Sequence, residues 1–207
     1  MPLTLRLAFI DVHTCHPLRG AAIDIWSCDA VGLYSGYLSV GNDTPPPPGG
    51  AHQPPTDQRK FLRGSQITDQ RGEIEFRTIF PGWYIGRAVH IHVKVHVGGE
   101  LTPRGYAGGQ VCHTGQVYFA EEAVLAGARV APYNTNTVTR TTLDEDRFYG
   151  GRGSIDGLLD LSYRAGEGAR VPGFLDVRPQ ELACDYWILG PLRTGSASTS
   201  AQRLGHA

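Results

Sequence analysis

The run "AVHIHVKVHV", residues 88–97, alternates aliphatic and polar side chains from Val89 onward. A period of two is typical of a β-strand with one buried face, because successive side chains point to opposite faces of a sheet. The pattern therefore predicts a strand whose aliphatic face lies in the core, with His90 and His92 side by side on the other face. The core does not require that second face, so the two histidines need a separate explanation.

Similar short segments recur along the chain between turn signals, and long helical periodicity is scarce. With 27 glycines and 14 prolines, this pattern predicts an all-β sandwich or barrel. The turn in "TDQRGEIEF", which contains Gly72, predicts a hairpin. Short helical turns are expected at 120–128 and 153–161. The predicted strands lie at 3–11, 21–29, 65–69, 72–79, 88–97, 115–120 and 185–190.

The length of 207 residues fits one domain, which we expect to span residues 1–192. Within it, the proline-rich segment 42–60 should be a surface loop, either an insert or a flap over a site, because proline cannot donate to a ladder. The small polar residues 193–207 should form a flexible tail. The net charge of −1 argues against nucleic acid and membrane surfaces as partners and favours a small molecule.

No run approaches the roughly 20 apolar residues of a membrane-spanning helix. The sequence as it stands predicts a cytoplasmic protein, and a secreted one if a leader has been removed. The four cysteines have no CxxC spacing, which argues against a zinc site built from thiolates. Cys15 and Cys28 flank a turn and could form a disulfide, but free thiols at these positions and at Cys112 and Cys184 fit the sequence equally well.

Two histidines on one strand face are a ready chelating pair, although such pairs also occur as ordinary hydrogen-bonded surface residues. Tyr84 precedes His90 by six residues, and Tyr34 follows the strand at 21–29 beside a glycine. Tyrosinate is a strong ligand for a hard trivalent metal, whose charge lowers the pKa of the phenol. Two tyrosines with two histidines would therefore select ferric iron.

These residues resemble the intradiol ring-cleavage dioxygenases. "PLRGAAIDIWSCDAVGLYSGY" is similar to the first signature of that family, with Asp-Ile-Trp followed by Gly-x-Tyr. "FLRGSQITDQRGEIEFRTIFPGWYIGRAVHIHVKV" is similar to the second, and "TGQVYF" to a third, shorter element. The resemblance covers roughly residues 3–120. It implies an all-β sandwich of the immunoglobulin or transthyretin type, with long loops and a few short helices.

The resemblance implies one non-haem Fe(III) per chain, bound by Tyr34, Tyr84, His90 and His92. Tyr84 would leave the metal when substrate binds and act as a base. Arg87 would favour negative charge on the substrate, and Gln116 would hold the geometry of the pocket. From the residues alone, Tyr34 could be a core aromatic with Tyr37 as the ligand, and Tyr84 and Arg87 could be ordinary packing and salt-bridge residues.

The remaining histidines match no ligand position of the family. On the same strand face as the pair, His96 lies past the motif, so a role at the rim or surface is expected. The others without a match are His13, His16, His52, His113 and His206.

The implied reaction is cleavage of a catechol-type diol by O2, giving a cis,cis-muconate-type diacid without NADH. The early first strand and the short Tyr84–His90 spacing resemble compact, often secreted members of the family. Any oligomer would then not form through an N-terminal helical domain. Two other readings stay open from the residues: a transthyretin-like binding module without enzymatic activity, and a cupin-like Fe(II) or zinc protein.

Overall fold

The computed structural model describes residues 1–39, 47–49, 53–149, 157–164, 174–177 and 181–183. They form two β-sheets packed as a sandwich, with one short α-helix, so the predicted all-β sandwich is confirmed. The α-helix, α1, is Glu121–Ala128, and one 3-10 turn spans Tyr133–Thr135. The strands are β1 Pro2–Asp11, β2 His16–Pro17, β3 Ala22–Trp26, β4 Arg63–Ile67, β5 Glu73–Ile79, β6 His90–Thr102, β7 Gly105–Tyr118, β8 Leu161–Arg164, β9 Phe174–Val177 and β10 Glu181–Ala183.

The first sheet is built around β1. Strand β5 pairs with it antiparallel along seven positions, and β9 and β10 pair with it parallel. The sequence "LTLRLAF" alternates, and its apolar side chains are almost fully buried in the core. These residues are Leu3, Leu5, Leu7 and Phe9. The burial of one face of β1 against the second sheet is what fixes its register.

The second sheet has the order β4-β3-β6-β7, with every neighbouring pair antiparallel. On β6, Ile91, Val93 and Val95 lie in the core at 1% exposure each, and the histidines alternate with them. The predicted division of this strand into an aliphatic and a histidine face is thereby confirmed. His92 lies opposite Trp26 on β3 in the strand register, and opposite Gln116 of β7 on its other side.

The predicted hairpin at Gly72 is wrong. The turn itself forms: Gly72 has a φ of +74°, and Asp69 accepts backbone hydrogen bonds of 2.8 Å from Arg71 and Glu73. However, the strands that it joins belong to different sheets, since β4 pairs with β3 and β5 pairs with β1. A tight polar turn can reverse the chain within one sheet or carry it across to the facing one, and the local sequence is alike in the two cases.

Most of the other predicted strands and one of the two predicted helical turns are present in the structure. The first six predicted strands overlap β1, β3, β4, β5, β6 and β7, and the helical turn predicted at 120–128 is α1. Of the segment 153–161, the structure describes 157–161, where Leu158 bridges to Tyr118 and Leu161 begins β8. The described parts of the proline-rich segment contain neither helix nor strand. The strand predicted at 185–190, the tail 193–207 and the rest of the proline-rich segment lie outside the described residues.

Three of the four cysteines lie in the described part of the chain, and each is a thiol rather than half of a disulfide. Cys15 is exposed and Cys28 is buried, so the two do not form a disulfide. The Cys28 thiol donates to the carbonyl of Gly82 at 3.4 Å. Burial, and then the nearby Asp29 carboxylate, raise the pKa of this thiol to about 12. Cys184 lies outside the described residues.

Among the described residues, no helix is long and apolar enough to cross a bilayer; α1 has only eight residues.

Candidate metal centre

The loop that follows β3 presents Tyr34. Asp29 holds this loop in a tight turn, because its Oδ1 accepts hydrogen bonds from the amides of Val31 at 3.0 Å and Leu33 at 2.9 Å. Gly32 takes a φ of +89°, and a Cβ at this position would overlap the carbonyl oxygen of Trp83. Glycine is therefore required here both for the left-handed backbone and for the close approach of a second loop.

That second loop carries Tyr84 and packs against the first. The amide of Gly82 donates to the carbonyl of Asp29 at 2.9 Å, and a Cβ at Gly82 would lie only 2.5 Å from the carbonyl oxygen of Ala30. Trp83 is anchored from the other side, since its indole N–H donates to the carbonyl of Val138 at 2.7 Å. The two tyrosines are thus delivered by loops that fix each other.

Four donor atoms converge at the histidine face of β6. The Nε2 of His90 lies 3.1 Å from the Nε2 of His92, 3.2 Å from the hydroxyl of Tyr84 and 3.5 Å from the hydroxyl of Tyr34. Ligands that each bind one ion at about 2.0–2.2 Å stand roughly 3.0–3.5 Å from their neighbours. The separations around His90 therefore fit a shared metal ion.

The donor set also fits the metal that the sequence predicted. Within the described part of the chain, no group of three or more His, Cys, Asp or Glu side chains is placed to hold a metal ion, so a four-ligand site here depends on the two tyrosines. Two phenol oxygens and two imidazole nitrogens suit a hard trivalent cation better than a soft divalent one.

The two imidazoles are held with their Nε2 atoms toward the centre. The Nδ1 of His90 lies 2.6 Å from the carbonyl oxygen of Ala88. A carbonyl only accepts, so the proton of the neutral ring is on Nδ1, and the lone pair of Nε2 points to the other donors. The ring of His92 stacks on the indole of Trp26, with centroids 4.6 Å apart and planes 2° from parallel.

The electrostatics keep both imidazoles neutral. Burial, and then the Arg87 cation, lower the pKa of His90 to about 4. Burial, His90 and Arg87 lower the pKa of His92 to about 2. Neutral imidazole is the form that binds metals, so at neutral pH neither ring has to lose a proton first.

The two phenols are protonated in the absence of a metal. Burial raises the pKa of Tyr34 well above its usual value, with a further contribution from Tyr84. Burial also raises the pKa of Tyr84, although the neighbouring Arg87 cation acts in the opposite direction. A bound trivalent ion reverses this preference, because a coordinating phenol loses its proton to the metal's charge.

A hydrogen-bonded network lies behind the centre. The Nη2 of Arg87 donates to the amide oxygen of Gln116 and, at 3.4 Å, to the hydroxyl of Tyr118. The Tyr118 hydroxyl donates in turn to Gln116 at 2.7 Å. The Nε of Arg87 donates to Asp146 at 3.0 Å, in an ion pair whose carboxylate side chain is 0% exposed.

Asp146 and Tyr118 are part of this network but were not predicted from the sequence. Asp146 lies 59 residues from its partner Arg87, in a loop beyond the segment that the resemblance covers, and "DEDRF" reads as an ordinary polar surface turn. Tyr118 reads as part of an apolar strand end. No local pattern would have identified either of them.

The structure brings together all six residues singled out by the sequence, and Arg87 also forms an ion pair, with Asp146. The hydroxyl that the first loop brings to His90 is that of Tyr34, not of Tyr37. His96 lies farther along β6 and pairs with Asp24 at 2.9 Å. Of the histidines that match no ligand position, His52 and His206 lie outside the described residues.

Known structures resemble this one over most of its length. An intradiol ring-cleavage dioxygenase from Tetranychus urticae matches with a TM-score of 0.71 and 29% identity, over 93% of this chain and 83% of that one. The dioxygenase domain of a dioxygenase carbohydrate-binding protein fusion from Streptomyces sp. SirexAA-E matches with a TM-score of 0.51 and 24% identity, over 89% and 79% of the two chains. Catechol 1,2-dioxygenase from Pseudomonas arvilla C-1 matches with a TM-score of 0.51 and 18% identity, over 98% and 56%.

The last two similarities concern the fold alone. A scan against family models and a search of curated proteins found no match. The chain is therefore a structural match to the intradiol ring-cleavage dioxygenases, and the resemblance seen in its sequence is confirmed.

Proposed function

We propose that this chain is an Fe(III)-dependent intradiol dioxygenase, which uses O2 to cleave a catechol-type diol between its two hydroxyl-bearing carbons and gives a cis,cis-muconate-type diacid. The observation that carries the proposal is the convergence of two phenols and two neutral imidazoles around His90 Nε2, at 3.1 to 3.5 Å. Tyr34, Tyr84, His90 and His92 would hold the iron. A plain binding module of the same fold has no need of such a donor set.

Bound Fe(III) would supply a Lewis acid that takes both oxygens of the diol and draws electron density from its ring. The protein's part is to move protons and to hold charge. Tyr84, held at the metal as a phenolate, would be suited to accept a proton from a substrate hydroxyl, because it is only partly buried whereas Tyr34 is 8% exposed. Burial raises the pKa of the Tyr84 phenol, which favours this proton transfer, and the Arg87 cation acts in the opposite direction. Tyr34 would remain in place throughout.

Arg87 and Gln116 would act on the charge that develops on the substrate. The field of the guanidinium reaches the centre, since it contributes to the lowered pKa values of both His90 and His92. A cation fixed by hydrogen bonds stabilises developing negative charge without having to reorganise during the reaction. Gln116 would keep the guanidinium in this position through its amide oxygen.

The test is turnover under oxygen-18. The ferric protein is supplied with catechol, hydroxyquinol or protocatechuate and labelled O2, and the product is analysed by mass spectrometry. The proposal predicts a ring-opened diacid that contains both atoms of one O2 molecule. A ring-opened semialdehyde would show that the ring is cut outside the two hydroxyl groups, against the proposal. No oxygen uptake by protein with bound iron would favour the transthyretin-like binding module.

A further inference from the structure

A buried carboxylate lies directly behind the candidate metal centre. Asp146 belongs to the loop between the 3-10 turn and β8, and its side chain is 0% exposed. Isolated buried charges are costly, so a carboxylate in such a place is expected to have a full set of partners. It is not one of the four candidate ligands, and the residues that resemble the dioxygenase signatures end before it.

Asp146 accepts four hydrogen bonds. Its Oδ2 takes one from the Nε of Arg87 at 3.0 Å and one from the amide of Ala88 at 2.7 Å. Its Oδ1 takes two from its own loop, from the amides of Phe148 at 2.7 Å and Tyr149 at 3.2 Å. One carboxylate therefore links its own loop to Arg87 and Ala88, which lie just before β6.

The first of these contacts fixes the guanidinium of Arg87. Its Nε donates to Asp146, and its Nη2 donates to Gln116 and Tyr118. The Cζ of the guanidinium lies 4.3 Å from the ring centroid of Phe148. Without the carboxylate, the guanidinium would keep its charge but lose the hydrogen bond at Nε that sets the orientation of its plane.

The second contact acts on His90 through Ala88. The amide of Ala88 donates to Asp146, and its carbonyl accepts from the Nδ1 of His90 at 2.6 Å. Ala88 is therefore held on one side by the carboxylate while it orients the imidazole on the other. A hydrogen bond to the far nitrogen of a ligating histidine sets its tautomer and the direction of its lone pair.

We propose that Asp146 is a positioning residue that sets the orientation of Arg87 and the tautomer of His90, an inference that rests on the proposed function. It would do this through two separate hydrogen bonds that its Oδ2 accepts, without touching the substrate or the iron. The loop that carries it would thereby become part of the catalytic apparatus, although nothing in its sequence indicates so.

The main test replaces Asp146 by Asn. The amide is nearly the same size, but only its oxygen accepts, so an Asn that turned this oxygen toward Arg87 and Ala88 would keep both contacts. Asp146→Leu, which has no acceptor in any orientation, is therefore measured beside it. We expect kcat for catechol to fall by about 10- to 100-fold with KM changed less than about threefold, as is usual when the support of a site is lost rather than a binding contact. Glu75→Gln is the matched control, since it removes a carboxylate from an exposed pair with Arg6, at 2.7 Å on the other sheet. Wild-type kcat in folded Asp146→Leu protein, as well as in folded Asp146→Asn protein, would overturn the proposal.

A second measurement needs neither a variant nor turnover. Nitrogen-15 NMR of the metal-free protein should show His90 protonated at Nδ1, and an Arg87 Nε–H that exchanges with water at least tenfold more slowly than that of Arg6. A proton on Nε2 of His90, or an Arg87 Nε–H that exchanges as fast as that of Arg6, would contradict the positioning role. This measurement can refute the positioning role even if neither variant folds.

The two proposals can fail separately. If the iron-loaded wild type cleaves no diol, the proposed function fails, while the NMR result still tests the contacts of Asp146. If the wild type turns over and both folded Asp146 variants match it in kcat, the function stands and the positioning role is refuted.

Discussion

The two imidazoles of the candidate centre should make the stability of the metal-free protein depend steeply on pH. The pKa of His90 is lowered from 6.5 to about 4 and that of His92 to about 2, in both cases chiefly by burial. Below pH 6.5 the two imidazoles take up protons in the unfolded chain but stay largely neutral in the folded chain. The stabilisation that comes from the two neutral imidazoles is therefore fully present above pH 6.5. It is lost as the pH falls from there toward the folded-state pKa, which is about 4 for His90 and about 2 for His92.

The size of the effect follows from the number of protons. Each proton bound only by the unfolded state contributes a slope of about 1.4 kcal/mol per pH unit. Because each imidazole is mostly protonated in the unfolded chain between pH 6 and 5, the pair should lower the free energy of unfolding by roughly 2.4 kcal/mol over that unit. Replacing His92 by Gln should remove about half of this slope, or roughly 1.2 kcal/mol.

Urea unfolding of metal-free protein at pH 7, 6.5, 6, 5.5 and 5 measures the slope directly. Other carboxyl and imidazole groups contribute equally to wild type and variant, so the difference between the two isolates His92. Parallel curves for wild type and His92→Gln would contradict the lowered pKa of His92, because they would mean that His92 takes up its proton as readily in the folded protein as in the unfolded chain.

Three further predictions concern the surroundings of the centre. Gly32→Ala should destabilise the protein by about 2 kcal/mol or more in urea unfolding, whereas Gly20→Ala, at a φ of +69° with no atom within 4 Å of the added Cβ, should cost about 1 kcal/mol; equal losses would contradict the close loop approach. Trp26→Leu should weaken iron binding roughly tenfold in a chelator competition, because the stacked support of His92 is lost; unchanged affinity would show that the stack has no such role. The thiol of Cys28, with a pKa of about 12, should react with a thiol reagent at pH 8 only after unfolding, as followed by mass spectrometry; prompt labelling of folded protein would contradict its burial.

Part of the fold could be predicted because local pattern and burial agree. The alternation in β1 and β6 reports directly which residues face the core, and the shared face of His90 and His92 follows from the same geometry. The outer half of the β6–β7 hairpin could not be predicted. The sequence "GGELTPRGYAGGQ" has no alternation, since most of its side chains are exposed and no core selects them.

The candidate site could be predicted only as far as its motifs extend. The loops of Tyr34 and Tyr84 meet through backbone contacts at Gly32 and Gly82, which no periodicity reveals, so the pairing of the tyrosines depended on the resemblance. Asp146 lay beyond the motifs, and its role arises from long-range contacts. The same limit explains the wrong hairpin, since its turn chemistry does not report which sheet the next strand will join.

The most direct test of the proposed metal centre is the visible absorption spectrum of the Fe(III)-loaded protein, recorded without oxygen before and after addition of catechol. If Tyr34 and Tyr84 bind the iron, we expect a tyrosinate-to-iron charge-transfer band that moves to longer wavelength with catechol. We also expect a weaker band in Tyr34→Phe and Tyr84→Phe and an unchanged one in Tyr37→Phe. A colourless protein with one iron bound per chain would show that neither Tyr34 nor Tyr84 is a ligand, and would contradict the account.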